Sequence, residues 1–249
     1  MHVVFVANLA RPAVAEADAL APTLGMTPYE ARLALAAGPP SVVLSTTDRN
    51  RANDVLGALR SRGHGAHVFD DENFVASEHM TRADDFILDA EGMRRTSTGD
   101  LLPYGDVYAI LRAVHDSTSE LERSPRPVIT DRQLIHSHSL RVVTKNEERE
   151  HVAYFFRRSG ERPWLLRERH ASYVGLGADR TPIAFANFTR TLTRMREQAA
   201  MAVYDDRLAR RRVAERAGAE GERSSRDGMD LLAHLLAMTI ASQGGSPYR

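Results

Sequence analysis

Leu24–Asp70, LGMTPYEARLALAAGPPSVVLSTTDRNRANDVLGALRSRGHGAHVFD, decides how the first part of this chain folds. Thr27, then Pro28, then Glu30 three residues after Thr27 combine a helix cap, a first-turn proline and a capping-box acid. Ala31, Ala34 and Ala36 favour the helix and Leu33 and Leu35 extend its apolar residues, until Gly38-Pro39-Pro40 ends it. Ser41–Thr46 is a short apolar run bounded by turn residues and reads as a buried strand. Asp48 caps a second helix whose Ala52, Val55, Leu56 and Leu59 recur at helical spacing. Gly63 closes that helix, and Ala66–Phe69 forms the next strand.

Outward from this stretch, His2 to Asn8 reads as a strand and Val14–Leu24 as an alanine-rich helix interrupted by Pro22. The predicted order over residues 1–72 is βααβαβ, which places helices on one face of a small sheet. Gly25-Met26-Thr27-Pro28-Tyr29-Glu30-Ala31-Arg32 resembles the Gly-Leu-x-x-x-Glu-Ala-Lys signature in the C-terminal domain of the bacterial ribosomal stalk protein. Pro40–Val43 is similar to the Ala-Pro-x-Val-Val that follows there. Arg62-Gly63-His64-Gly65-Ala66 is similar to that domain's turn into its last strand. The stalk domain binds translational GTPases through lysine-rich helix faces. Only Arg32 here matches a basic position, so the resemblance implies the fold and not the GTPase partner.

The whole chain has 249 residues, a formal net charge of +0 and no cysteine. That length suits two cores and a tail. Disulfides, zinc–thiolate sites and thiol nucleophiles are excluded. Balanced charge argues against a nucleic-acid footprint over the whole surface. The first residues lack a basic region and a long apolar run, no stretch reaches the ~20 apolar residues of a membrane span, and a cytoplasmic location is expected. Lys145 stands alone among many arginines, a bias that reads as codon usage in a GC-rich genome rather than as phosphate recognition.

The texture changes at Asp84. Phe86-Ile87-Leu88 leads into the turn Asp89-Ala90-Glu91-Gly92, and Ser97-Thr98-Gly99-Asp100 makes another. Leu101–Asp116 fits helix and strand periodicities alike. Ser117–Arg132 reads as a loop. Leu140–Thr144, Val152–Arg158 and Trp164–Arg169 read as strands, Ser172–Leu176 as a possible fourth. Thr181-Pro182 opens a helix with Phe185, Phe188, Leu192, Met195 and Ala199 on one face. Strands closed by one C-terminal helix over residues 84–204 resemble the bacterial pleckstrin-homology-like domains, which implies a binding or scaffolding module and a strand at Leu101–Asp116.

Residues 205–249 form the tail. Arg207–Arg216 reads as a basic helical segment, and Ala217–Gly228 has a composition that cannot bury a core. Met229–Gln243, MDLLAHLLAMTIASQ, reads as a short apolar helix on a flexible tether. Leu231, Leu232, Leu235, Leu236, Met238 and Ile240 are its candidate partner-binding residues. The alternative is that it folds back on its own chain.

Candidate chemistry is sparse. His136, His138 and His170 lack an acidic partner at a recognisable spacing and read as solvated histidines rather than zinc ligands. Asp84, Asp85 and Asp89 read as strand-end acids rather than a catalytic carboxylate pair. Gly175-Leu176-Gly177 lacks the further glycine and lysine of a phosphate loop. Trp164 reads as core. Arg157, Arg158, Arg162, Arg167 and Arg169, interleaved with Tyr154, Phe155, Phe156 and Trp164, form the candidate nucleic-acid patch. The expected protein is a non-enzymatic α+β adaptor that binds a protein partner and needs no cofactor or metal. A nucleic-acid-binding factor is the alternative and an unrecognised hydrolase or metal enzyme the second.

Overall fold

The computed structural model describes residues 1–36, 38–123, 142–211 and 225–243, with 116–123, 142–148 and 225–227 in backbone only. The chain is mixed α+β. Strand β1 (His2–Asn8) lies between β2 (Ser41–Thr46) and β3 (Gly65–Asp70), antiparallel to both. Its residues Val3 to Val6 are completely buried because both faces of the sheet are covered. Val4 and Val6 face a core built with Leu20 of α1 (Ala13–Leu24), Leu35 of α2 (Pro28–Ala36), and Val55 and Leu59 of α3 (Arg49–Ser61).

The caps form as the sequence implies. Glu30 N–H donates to Thr27 Oγ1 at 3.3 Å and Thr27 N–H to Glu30 Oε2 at 2.7 Å. Asp48 accepts from the Asn50 and Arg51 amides at 2.9 and 3.2 Å. Gly25 supplies the left-handed exit of α1, at φ 73°. Pro22 lies inside α1 without ending it.

The second part holds two sheets. Strands β5 (Phe86–Leu88), β6 (Gly92–Arg95) and β7 (Leu101–Pro103) form one antiparallel meander. The larger sheet runs β11–β8–β9–β10–β4, with β4 at Thr81–Arg82, β8 at Val107–Arg123, β9 at Val142–Arg157, β10 at Trp164–Arg167 and β11 at Val203–Asp205. Ile110, Phe155 and Trp164 on one face of this sheet pack with the meander and with Phe188, Leu192 and Met195 of α4 (Ala184–Gln198).

Several boundaries differ from the sequence reading. Leu101–Asp116 is strand, with a 3-10 turn at Tyr104–Asp106 between β7 and β8. Ser117–Arg123, expected as loop, extends β8 because it pairs rung by rung with Val142–Glu148, and the two strands expected at Leu140–Thr144 and Val152–Arg158 are therefore one. Ser172–Leu176 is not a strand. It touches the meander through a single bridge from Gly175 to Ile87, where a β-carbon on Gly175 would lie 2.3 Å from the Phe86 carbonyl oxygen. The α4 helix starts at Ala184 because Asn187 turns back to accept the Thr181 amide at 2.7 Å. Of the basic helical segment expected at Arg207–Arg216, α5 (Arg207–Arg210) forms and β11 separates it from α4, while residues 212–216 lie outside the described residues.

The largest correction concerns the tail. Helix α6 spans Ser225–Gln243, so Ser225–Gly228, expected as part of the tether, is helical. One face of the N-terminal sheet (Val3, Phe5, Phe69), the second face of the larger sheet (Leu111, Val152, Tyr154, Phe156) and α6 share one hydrophobic core. The helix is buried around nearly its whole circumference, as an apolar helix between two layers must be.

Candidate functional site: the enclosed helix and the long ribbon

The six residues expected to contact a partner lie in that shared core. Leu231, Leu232, Leu235, Leu236 and Ile240 are at most 7% exposed, and Met238 is partly buried against the same cluster. The fold-back alternative is the observed state, because two apolar sheet faces are available to the helix within its own chain.

Two polar residues sit among these leucines, four apart and hence on one helix face. Asp230 is fully buried. It accepts from the Ser77 amide at 2.7 Å, from Ser77 Oγ at 2.5 Å and from Tyr154 O–H at 2.7 Å. His115 Nε2 completes the group, 2.6 Å from the tyrosine oxygen and 3.4 Å from the carboxylate. With Tyr154 donating to Asp230, His115 donates to Tyr154. Burial works to raise the Asp230 pKa, but His115 and the Ser77 and Tyr154 donors outweigh it and hold the carboxyl below its usual value. The network therefore fixes α6 against β8, β9 and the segment after β3 at once.

One turn further on, His234 lies among the rings of Phe69, Phe74 and Phe156, at centroid distances of 5.9, 5.6 and 5.1 Å. Its Nε2 is 3.1 Å from the Val75 carbonyl oxygen and 3.3 Å from the Val75 nitrogen. Desolvation lowers its pKa below the ordinary imidazole value, so the native state holds it neutral. The stability it contributes is full above the unfolded pKa of about 6.5 and is lost as pH falls toward the folded value. Urea unfolding is expected to show stability declining from pH 6.5 to pH 5. The slope should approach about 1.4 kcal/mol per pH unit per proton and be reduced in His234→Gln. An equal slope in the variant would assign the pH dependence to other groups.

The arginine patch does not assemble as the sequence implies. Tyr154, Phe155, Phe156 and Trp164 are at most 5% exposed and fill the cores on the two faces of the sheet, so they present no stacking surface. Arg157 pairs with Asp106 at 2.6 Å and also with Glu161, and Arg167 pairs with Glu150 at 3.0 Å. Arg158 donates to the Met201 carbonyl. Arg162 and Arg169 are exposed. Strand geometry explains the outcome: alternate side chains enter opposite faces, and both faces are covered.

The other candidates are placed as structural groups. Asp85 accepts from Thr96 and Ser97, and Asp89 from the Glu91 and Gly92 amides, so both carboxylates build turns of the meander. His170 joins Glu150 and Arg167, with Nδ1 2.8 Å from Glu150. Burial works to raise the Glu150 pKa, yet His170, the Arg169 amide and Arg167 hold it below its usual value. His136 and His138 lie outside the described residues. Glu16, 1% exposed, takes a 2.6 Å bond from Arg62 and stands 3.2 Å from His64, tying α1 to the turn before β3. Among the described residues no three His, Asp or Glu are grouped to hold a metal, and no helix is long and apolar enough to cross a membrane.

The ribbon of β8 and β9 is the second feature that sequence reading missed. The last rung shared with a third strand is Ala113↔Val152, through β10, and β11 reaches only Leu111. Beyond it, among the described residues, the two strands pair only with each other for ten rungs, Val114↔His151 to Arg123↔Val142. At ~3.4 Å per residue that is roughly 34 Å of two-stranded ribbon. The register sets Asp116 opposite Arg149 and Glu120 opposite Lys145. The signal was hidden in the polar, mixed-charge run of Ser117–Arg123, which with the prolines beyond it reads as loop.

Comparison of the chain with protein-family models, with curated proteins and with solved structures finds no match. The functional reading therefore rests on the geometry.

Proposed function

We propose that this protein is a non-enzymatic interaction adaptor whose contact element is the β8–β9 ribbon. The observation that carries this reading is the ten-rung extension without a third strand among the described residues. Isolated two-stranded ribbons are marginal in water, and their unpaired backbone edges are templates for an added strand. A rigid body that holds such a ribbon at its base presents it to a protein partner. The two compact units, each with its own core and neither with an assembled reaction site among the described residues, favour a binding role. The use of Glu16, Asp106, Glu150 and Asp230 as structural anchors also favours binding over catalysis.

The test replaces residues 117–148 by Asn-Gly, a two-residue hairpin turn that joins the paired Asp116 and Arg149. Full-length and shortened proteins are used for crosslinked capture from lysate of the source cells, with and without nuclease. A protein that survives nuclease and is lost with the ribbon supports the proposal. Equal capture by a folded, shortened protein refutes it. Capture lost only on nuclease treatment would favour a nucleic-acid partner instead.

A further inference from the structure

We propose that Arg112 is the anchor of an oxyanion-binding subsite at the base of the ribbon, taking a carboxylate or phosphate group. Nine arginines among the described residues are buried or half-buried. Eight of them give their guanidinium to an oxygen. Arg62, Arg94, Arg95, Arg157, Arg167 and Arg194 meet carboxylates. Arg51 and Arg211 meet backbone carbonyls. Arg112 meets none among the described residues. Its Nε is buried without a hydrogen-bond partner. Its one polar contact there is a terminal nitrogen 3.4 Å from His151 Nδ1.

The surroundings are those of a partly desolvated cation awaiting a counter-charge. Arg112 Cζ lies 5.5 Å from the centre of the Phe185 ring, and the His151 ring lies 5.0 Å from the same ring. Phe185 is 42% exposed, so the cluster opens to solvent. Arg112 continues the face of β8 that carries Ile110, and His151 lies on the neighbouring strand two rungs further out, hence on the same face. Glu168, just past the end of β10, accepts from the His151 amide through Oε2 at 3.3 Å. An unpaired guanidinium N–H in a buried setting is costly. Its planar fork matches a carboxylate or phosphate with two parallel bonds. The Phe185 ring, 5.5 Å from the guanidinium carbon, adds a cation–π contact on one side of it.

This inference is independent of the adaptor reading, since Arg112 belongs to the sheet and is kept when the ribbon is shortened. The experiment titrates the full chain, labelled with 15N, with sodium phosphate and separately with sodium acetate at constant ionic strength. The Arg112 Nε–H resonance and the His151 ring resonances are followed. Saturable shifts are expected for at least one anion, and the tighter of the two names the group. Arg112→Gln should weaken binding tenfold or more, and Arg112→Lys, which keeps the charge but not the fork, should weaken it less. Arg158→Gln, far along the sheet, should leave the affinity unchanged. Shifts that fail to saturate with both anions overturn the proposal, as does saturation that survives Arg112→Gln. If Arg112→Gln does not fold, the lysine variant decides: affinity equal to the parent's also overturns the proposal.

Discussion

A chain truncated after Ser224 is expected to lose its cooperative unfolding transition and to aggregate. Four leucines of α6 are at most 2% exposed, and they touch both sheets. Replacing one such residue by alanine costs about 2–5 kcal/mol, while a domain's whole stability is about 5–15 kcal/mol. Removing the helix deletes several of these contacts together and leaves Val3, Phe5, Leu111, Tyr154 and Phe156 facing water. Such a surface is an aggregation site. Leu235→Ala, completely buried in the parent, is the milder test, with an expected loss of about 3 kcal/mol in urea denaturation. A truncated chain that stays monomeric with an unchanged transition would show that α6 is an accessory and not part of the core. The distinction matters for function, since with α6 in the core loss of partner capture on tail deletion reports unfolding rather than a lost docking peptide.

The second large effect is expected at Asp230. Asp230→Ala removes the acceptor for the Ser77 amide, the Ser77 hydroxyl and the Tyr154 hydroxyl, and leaves all three buried with His115 beside them. Stranding buried partners of a charged group costs about 3–5 kcal/mol. Ser77→Ala removes one donor and its loss should be smaller, about 1–2 kcal/mol. Because both residues belong to one network, the double variant should lose less than the sum of the two singles. Equilibrium unfolding of the four proteins measures this directly. Additive losses, or a cost below about 1 kcal/mol for Asp230→Ala, would mean that the network adds little to the docking of α6.

Local chemistry fixed much of the fold before any tertiary information was needed. The Thr27–Glu30 box, the Asp48 cap, the Gly25 exit and the helical spacing of Val55 and Leu59 place their helices through contacts a few residues apart. The same is true of α4, whose Phe188, Leu192 and Met195 repeat correctly. Its start was less legible, because the Thr181–Asn187 bond is made by a side chain six residues on.

The ribbon and the destination of the tail were decided elsewhere. Ser117–Arg123 is strand because Val142–Glu148 stands opposite it, a partner invisible to single-strand periodicity. The candidate site divides in the same way. Asp230 and His234 are polar and four apart in an apolar run, a pattern the sequence reading passed over, and their partners Ser77, Tyr154, His115 and Val75 come from three distant segments. The lone arginine in Val107–Val114 stands in plain view in the sequence, while its lack of an oxygen partner among the described residues does not. By itself the sequence determined the α+β class, the caps and which segments are apolar, since these depend on neighbours within a turn or a strand. Only the tertiary structure decided that α6 lies inside the molecule, because burial depends on which surfaces meet.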